Sequence, residues 1–227
     1  MIPLRDHNPT RTFPFVTIGL ILANVAVFVY QVNVMLQGET ALKHFIYQMA
    51  MFPAEVAHDF GPDAARSVFT SMFLHGGFLH IAGNMLYLWV FGNNVEDSMG
   101  HFRFLVFYLL CGMAAAAGHV IVSPNSAVPT MGASGAIAGV LGAYLLLHPG
   151  ARVDTWFPVW WLFFTTVEVP AFVFLVLWFV MQLVNGLPAL TFESAQGGVA
   201  WWAHIGGFVA GFILIPIFKR RGVRLFQ

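Results

Sequence analysis

Ser134 and His204 supply the two side chains from which a hydrolytic nucleophile is most often built. A serine hydroxyl attacks a carbonyl poorly unless a neighbouring base takes its proton, and imidazole is the usual base near neutral pH. Both residues stand in long apolar stretches, where a polar group is costly and therefore a functional candidate. His80 and Asn84 occupy a third such stretch, and their i, i+4 spacing puts them on one helix face. There they would serve as donors to a developing oxyanion, joined by the unpaired first-turn N–H groups of a helix that starts at Ser134. These three stretches hold no Asp or Glu, so the pattern favours a Ser–His dyad over a triad with an acidic third member. Singly the pieces are weak, because a glycine-rich tetrapeptide is usually a packing element and a lone membrane histidine is usually a hydrogen-bonded core residue. Their conjunction carries the argument.

The composition says what must hold these groups. Of 227 residues, 9% are charged and 59% hydrophobic, and ten basic residues balance ten acidic ones. Soluble domains carry about 25% charged residues, so an ordinary soluble globule is excluded, as is a disordered chain. A nucleic-acid partner is excluded too, since no basic patch exists outside the C-terminal tail. Cys111 is the single cysteine, which excludes a disulfide scaffold and a Cys-based zinc site. What remains is an all-α polytopic membrane protein whose apolar surface faces the lipid bilayer.

Runs able to cross a ~30 Å hydrocarbon layer place six spans at about 13–36, 78–93, 102–122, 134–148, 169–185 and 200–218. Residues 1–12 form a short N-terminus, with no room for a separate cytoplasmic domain, and 219–227 a basic tail. The long outer loop, 37–77, carries short apolar patches (Phe45 to Tyr47, Met49 to Phe52) that are expected to lie at the interface. Trp156 to Phe164 is expected to pack at the inner interface as an aromatic belt, with Glu168 a snorkelling carboxylate beside it. Arg5, Arg11, Arg103, Arg152, Lys219, Arg220, Arg221 and Arg224 fall on the side of the termini, and only Lys43 and Arg66 on the other. That bias predicts cytoplasmic termini.

Depth then links the polar groups. His80 lies 16 residues before Glu96, Ser134 lies 14 before His148 and 18 before Arg152, and His204 lies 15 before Lys219. At 1.5 Å per residue, all sit roughly 21–27 Å above the inner boundary. The fourth span, about 22 Å long, is too short to cross, so Ser134 is recessed and the loop SPNSAVPT (123–130) is expected to be re-entrant over a wet cavity. Gly135, Ala138, Gly139 and Gly142 line one face of span four, and Ala203, Gly207 and Gly211 one face of span six. Such small-residue faces let helix axes approach closely in lipid, which would bring Ser134 to His204.

Together, His80-Ile-Ala-Gly-Asn84, Gly132-Ala-Ser134-Gly135 and Ala203-His204-Ile-Gly-Gly207 with Gly211 resemble the motifs of the rhomboid family of intramembrane serine proteases, in the same order and over roughly 13–218. The resemblance implies a six-span bundle with Ser134 as nucleophile and His204 as general base. It also implies an oxyanion hole from His80, Asn84 and the Ser134 amide, no metal or other cofactor, and single-span membrane proteins as substrates, cut near the outer boundary. Span five and the loop 187–199 would be the substrate gate and its cap. Two departures stand out. Many members carry a Trp-Arg pair in the outer loop, where this chain has Ala64-Ala65-Arg66-Ser67, and some stack a Tyr on the histidine where this chain has Ala138.

Two other readings compete. A catalytically silent rhomboid-like protein would bind membrane clients without cutting them, but it would not need both Ser134 and His204. A small proton-linked transporter could use His75, His80, His119 and His204 as a path, yet would call for an internal repeat that the sequence lacks. A zinc protease is disfavoured by the missing H-E-x-x-H motif. The minimal form without a targeting segment predicts a prokaryotic plasma membrane, with the site opening to the extracytoplasmic side.

Overall fold

The computed structural model describes residues 1–160, 163–190 and 199–226. A short strand, β1 (Ile2–Asp6), precedes the long helix α1 (Phe15–Leu36). The loop after it folds into α2 (Glu39–Met49), α3 (Pro53–His58) and α4 (Pro62–Thr70) before α5 (Phe78–Met99) and α6 (His101–Val122). Then come α7 (Ser134–Leu147), a hairpin of β2 (Arg152–Trp160) and β3 (Phe163–Pro170), and the helices α8 (Ala171–Gly186) and α9 (Trp201–Phe218). Helices α1, α6 and α9 are long and apolar enough to cross a membrane, and α7 and α8 are shorter apolar helices.

The short helix α7 is the centre of the bundle. Gly135 through Tyr144 are all buried, as a helix apolar on every side must be. It lies between α6 and α9, and the glycines set how close these come. A Cβ at Gly207 would collide with the carbonyl of Gly135, and one at Gly211 with the backbone of Gly139, each nearer than the 3.0 Å that real Cβ atoms essentially never breach. The missing side chains of Gly135 and Gly139 point the other way. A Cβ on Gly135 would lie 2.5 Å from that of Ala115 on α6, and one on Gly139 would strike Cys111. The small face of α7 therefore serves two neighbours, where the sequence pattern pairs it with α9 alone.

The chain is not all-α. β1, β2 and β3 form an antiparallel sheet in that order, with Pro3 opposite Thr155, and Asp154 opposite Glu168. Val153 and Thr155 are buried while Arg152 is exposed, the period-two alternation of a strand packed on one face. The stretch expected to lie flat as an aromatic belt is thus largely strand. Val169 and Pro170 belong to β3, so the following helix begins two residues later than expected. Glu168 is half exposed and stands 3.9 Å from Arg152. At the chain start, Asp6 accepts hydrogen bonds from Tyr144 on α7 (2.7 Å) and from Asn94 on α5. Burial pushes its carboxyl above the ordinary range, and those two bonds oppose the shift.

Helix α5 runs past the expected end at Asn93 to Met99, which brings two carboxylates under the start of α1. Pro14 precedes that helix and offers no capping side chain. Glu96, fully buried, instead accepts from the Val16 and Thr17 amides (2.9 and 2.7 Å) and the Thr17 hydroxyl (2.6 Å). Asp97 accepts from the Arg11 and Thr12 amides at 3.1 Å. A carboxylate at a helix N-terminus meets both orphan N–H groups and the positive end of the dipole. Glu96→Ala is expected to cost about 3 kcal/mol by stranding these donors, read as a lowered unfolding midpoint in detergent. An unchanged midpoint would remove Glu96 from this capping role.

The loop between α1 and α5 is tied internally without the tryptophan that the resemblance leads one to expect. Arg66 donates to the Gln48 carbonyl (3.3 Å) and pairs with Asp63 (3.2 Å), while the Thr70 hydroxyl donates to the Met49 carbonyl (2.7 Å). Met51 and Thr130 exchange backbone hydrogen bonds at 3.1 and 2.7 Å, and the Ala54 amide donates to Ser126 (3.1 Å). This loop therefore grips 123–130, the segment leading into α7. Met51, expected at the interface, is buried by that pairing.

Candidate active site

Ser134 is the first residue of α7. The chain reaches it through Gly132, whose φ of +133° lies in the region that favours glycine. A Cβ there would sit 2.9 Å from the His80 ring, so glycine at this turn is what lets the imidazole approach. The Gly132 amide is held by the Ser71 carbonyl at 2.9 Å. The Ala133 carbonyl accepts from the Ile137 amide at 3.0 Å, which starts the helix ladder. The Ser134 N–H is a first-turn donor with no intrahelical partner.

His204, in the first turn of α9, places Nε2 at 2.8 Å from the Ser134 hydroxyl. Its Nδ1 faces the Oε1 of Gln182 on α8 at 2.9 Å. The Trp178 ring lies 5.9 Å from the imidazole, tilted by 35°, and Trp201 meets it edge-on at 6.2 Å. Both aromatics pack against the imidazole, and Ala138, where the resemblance puts a tyrosine in some members, is fully buried.

His80 and Asn84 sit one turn apart on α5. The Gly76 amide donates to His80 Nδ1 at 3.2 Å, which leaves the proton on Nε2, the nitrogen next to Gly132. Asn84 is 8% exposed, and its Nδ2 has no hydrogen-bond partner among the described residues. A buried amide donor is costly to leave idle. A cavity of about 240 Å³ joins these groups, and His80, Asn84, Ser134 and His204 all line it. Leu79, Gly83 and Tyr87 of α5 and Trp178 of α8 also line it, and the lining as a whole is mostly apolar. The structure thus brings Ser134, His204, His80 and Asn84 to one cavity, and places Gly135, Gly139, Gly207 and Gly211 at the helix contacts beneath it. His75 lies behind His80, ring centroids 5.2 Å apart, with its backbone clasped by Gln31 on α1. Burial, then the neighbouring His80, holds the His75 imidazole down at about 4, so it is neutral at pH 7. Most of the cap expected over 187–199 lies outside the described residues.

Sequence reasoning overlooked Gln182 and Trp178. The available signal was the amide itself, one of two polar side chains in the 16-residue apolar helix α8. A polar group at such a position is a candidate by the rule that singled out His204.

Residues 62–221 match the family model of the Rhomboid domain. The rhomboid protease GluP of Bacillus subtilis (strain 168) is 34% identical over 143 residues, covering 63% of this chain and 24% of that protein. RHOMBOID-like protein 5 of Arabidopsis thaliana is 31% identical over 145 residues, covering 63% of this chain and 40% of the relative. RHOMBOID-like protein 1 of the same plant is 26% identical over 233 residues, covering 92% of this chain and 54% of the relative. The chain thus spans between about a quarter and about half of the length of these relatives. The matched segment takes in α5 through α9, the helices that carry every polar group around the cavity, and on that match this chain belongs to the rhomboid family.

Proposed function

We propose that this protein is an intramembrane serine endopeptidase that hydrolyses peptide bonds in or near the transmembrane segments of single-span membrane proteins. The observation that carries the reading is the 2.8 Å approach of His204 Nε2 to the Ser134 hydroxyl in a mostly apolar cavity. Nε2 takes the hydroxyl proton as Ser134 Oγ attacks the scissile carbonyl. The oxyanion that forms is met by the Ser134 amide, His80 Nε2–H and Asn84 Nδ2–H. His204 then hands its proton to the leaving amine, and an acyl group remains on Ser134. Water, deprotonated by the same imidazole, releases the acid and restores the hydroxyl. The dyad needs no metal for these steps.

In this reading six spans (α1, α5, α6, α7, α8 and α9) cross or enter the bilayer, with both termini in the cytoplasm and the dyad below the outer surface. The bias of basic residues supports the orientation. The membrane is a prokaryotic plasma membrane. The cavity is lined by both α5 and α8, and a substrate helix would enter from lipid between these helices.

Reconstitution with a panel of single-span membrane proteins tests the proposal, with cleavage products sized by mass spectrometry. Cleavage of at least one of them by the wild type but not by a His204→Ala variant is expected. No cleavage by the wild type anywhere in the panel counts against the reading. Asn84→Ala is expected to lower kcat by about 10–1000-fold, the range for losing one oxyanion donor. Unchanged turnover would take Asn84 out of that role.

A further inference from the structure

The oxygen and nitrogen of a glutamine amide are nearly alike in shape, so hydrogen bonding fixes which way the Gln182 side chain faces. The side chain is 4% exposed and reaches two groups. Its Nε2 donates to the Trp178 carbonyl one turn back, at 3.1 Å. A carbonyl only accepts, so the amide nitrogen must face it and the amide oxygen must face His204. That oxygen also only accepts, so His204 Nδ1 must carry the proton. The neutral ring has a single proton to place, and Nε2 is left with its lone pair toward Ser134, 2.8 Å away. Turning the amide over would set two carbonyl oxygens against each other and put a donor on Nδ1. Nε2 would then hold the proton and could not act as a base.

We propose that Gln182 is a positioning residue that locks His204 in the tautomer able to accept the serine proton, and that it does so from α8 rather than from the helix that carries the histidine. The inference rests on the assignment of His204 as the general base. A neutral amide fixes tautomer and ring orientation without adding a charge, unlike the buried carboxylate of a triad. Because the lock sits on α8, the base is oriented only while α8 is seated against α9. The Trp202 indole holds that seat by donating to the Gly186 carbonyl at 3.0 Å.

The test compares Gln182→Leu with Gln182→Glu in the full chain in detergent. Leu fills nearly the same volume without an acceptor, whereas Glu keeps an oxygen for Nδ1–H and loses the donor to Trp178. Positioning predicts that Leu lowers kcat by about 10–100-fold with KM within about twofold, since the wrong tautomer disables the base. Glu is expected to retain more activity than Leu. A purely packing role predicts the reverse order. Imidazole ¹⁵N NMR, with His204 assigned by loss of its signals in His204→Ala, supplies a readout that does not depend on turnover. The wild type is expected to carry its proton on Nδ1, and Gln182→Leu to mix the two tautomers. Wild-type kcat in Gln182→Leu, or an Nε2 proton in the wild-type spectrum, would overturn the inference. Failure of the protease reading is distinguishable, because the wild type would then cleave nothing while the NMR result still reports on the lock.

Discussion

Ser134→Ala is expected to reduce peptide-bond cleavage at least about 10⁴-fold, to background, because it removes the one atom that forms the acyl intermediate. The fold should survive. Among the described residues the hydroxyl's side-chain bond is the one to His204, so its loss costs about 1 kcal/mol, within the usual range for a single hydrogen bond. Equal unfolding midpoints beside a complete loss of product would match this expectation. Residual cleavage within about tenfold of wild type would mean that another group is the nucleophile.

The second large effect belongs to a residue that does no chemistry. Gly207 lies three residues after His204, and a Cβ at this position would drive into the carbonyl of Gly135, the residue after Ser134. Backbone cannot yield as the end of a flexible side chain can, so α7 and α9 must separate. A 1 Å error in the placement of reacting groups costs on the order of 10²-fold in rate, and the serine–imidazole distance of 2.8 Å has no slack. Gly207→Val is therefore expected to lose 10²-fold or more of the activity, about the size expected from such a shift, and to be destabilised by about 1–3 kcal/mol from overpacking. Gly207→Ala should fall in the same direction. Gly19→Ala on α1, where nothing lies within 4 Å of the added atom, serves as the control and should leave activity unchanged. A fully active Gly207→Val would contradict the close-packing account.

The helical part of this architecture could be read from hydropathy because membrane helices announce themselves as unbroken apolar runs with breakers between them. The helix starts at Phe78, Ser134 and Trp201 fall within a residue of the expected positions. Ser134 and His204 stood out for a different reason, because polar side chains are scarce in such runs, and the structure sets them 2.8 Å apart. The sheet was not. Its central strand mixes Val153, Thr155 and Trp156 with Arg152 and Asp154, and its aromatic content imitates an interfacial segment. Its partner β1 lies about 150 residues away in sequence, so pairing could not be foreseen from local pattern. Glu96 was readable as a boundary charge, but its capping of α1 requires knowing that α5 continues to Met99. Gln182 escaped because its partner lies on another helix, and a helix-by-helix reading sees only two amides, Gln182 and Asn185, in an apolar run.

One measurement bears most directly on the dyad: covalent labelling of the purified protein by a fluorophosphonate, with the adduct located by peptide mass spectrometry. A phosphonyl group on the Ser134 oxygen is the expected product, formed by the wild type and lost in His204→Ala. A wild type that stays unlabelled, or labelling of Ser134 that persists at the same rate without the imidazole, would contradict the account.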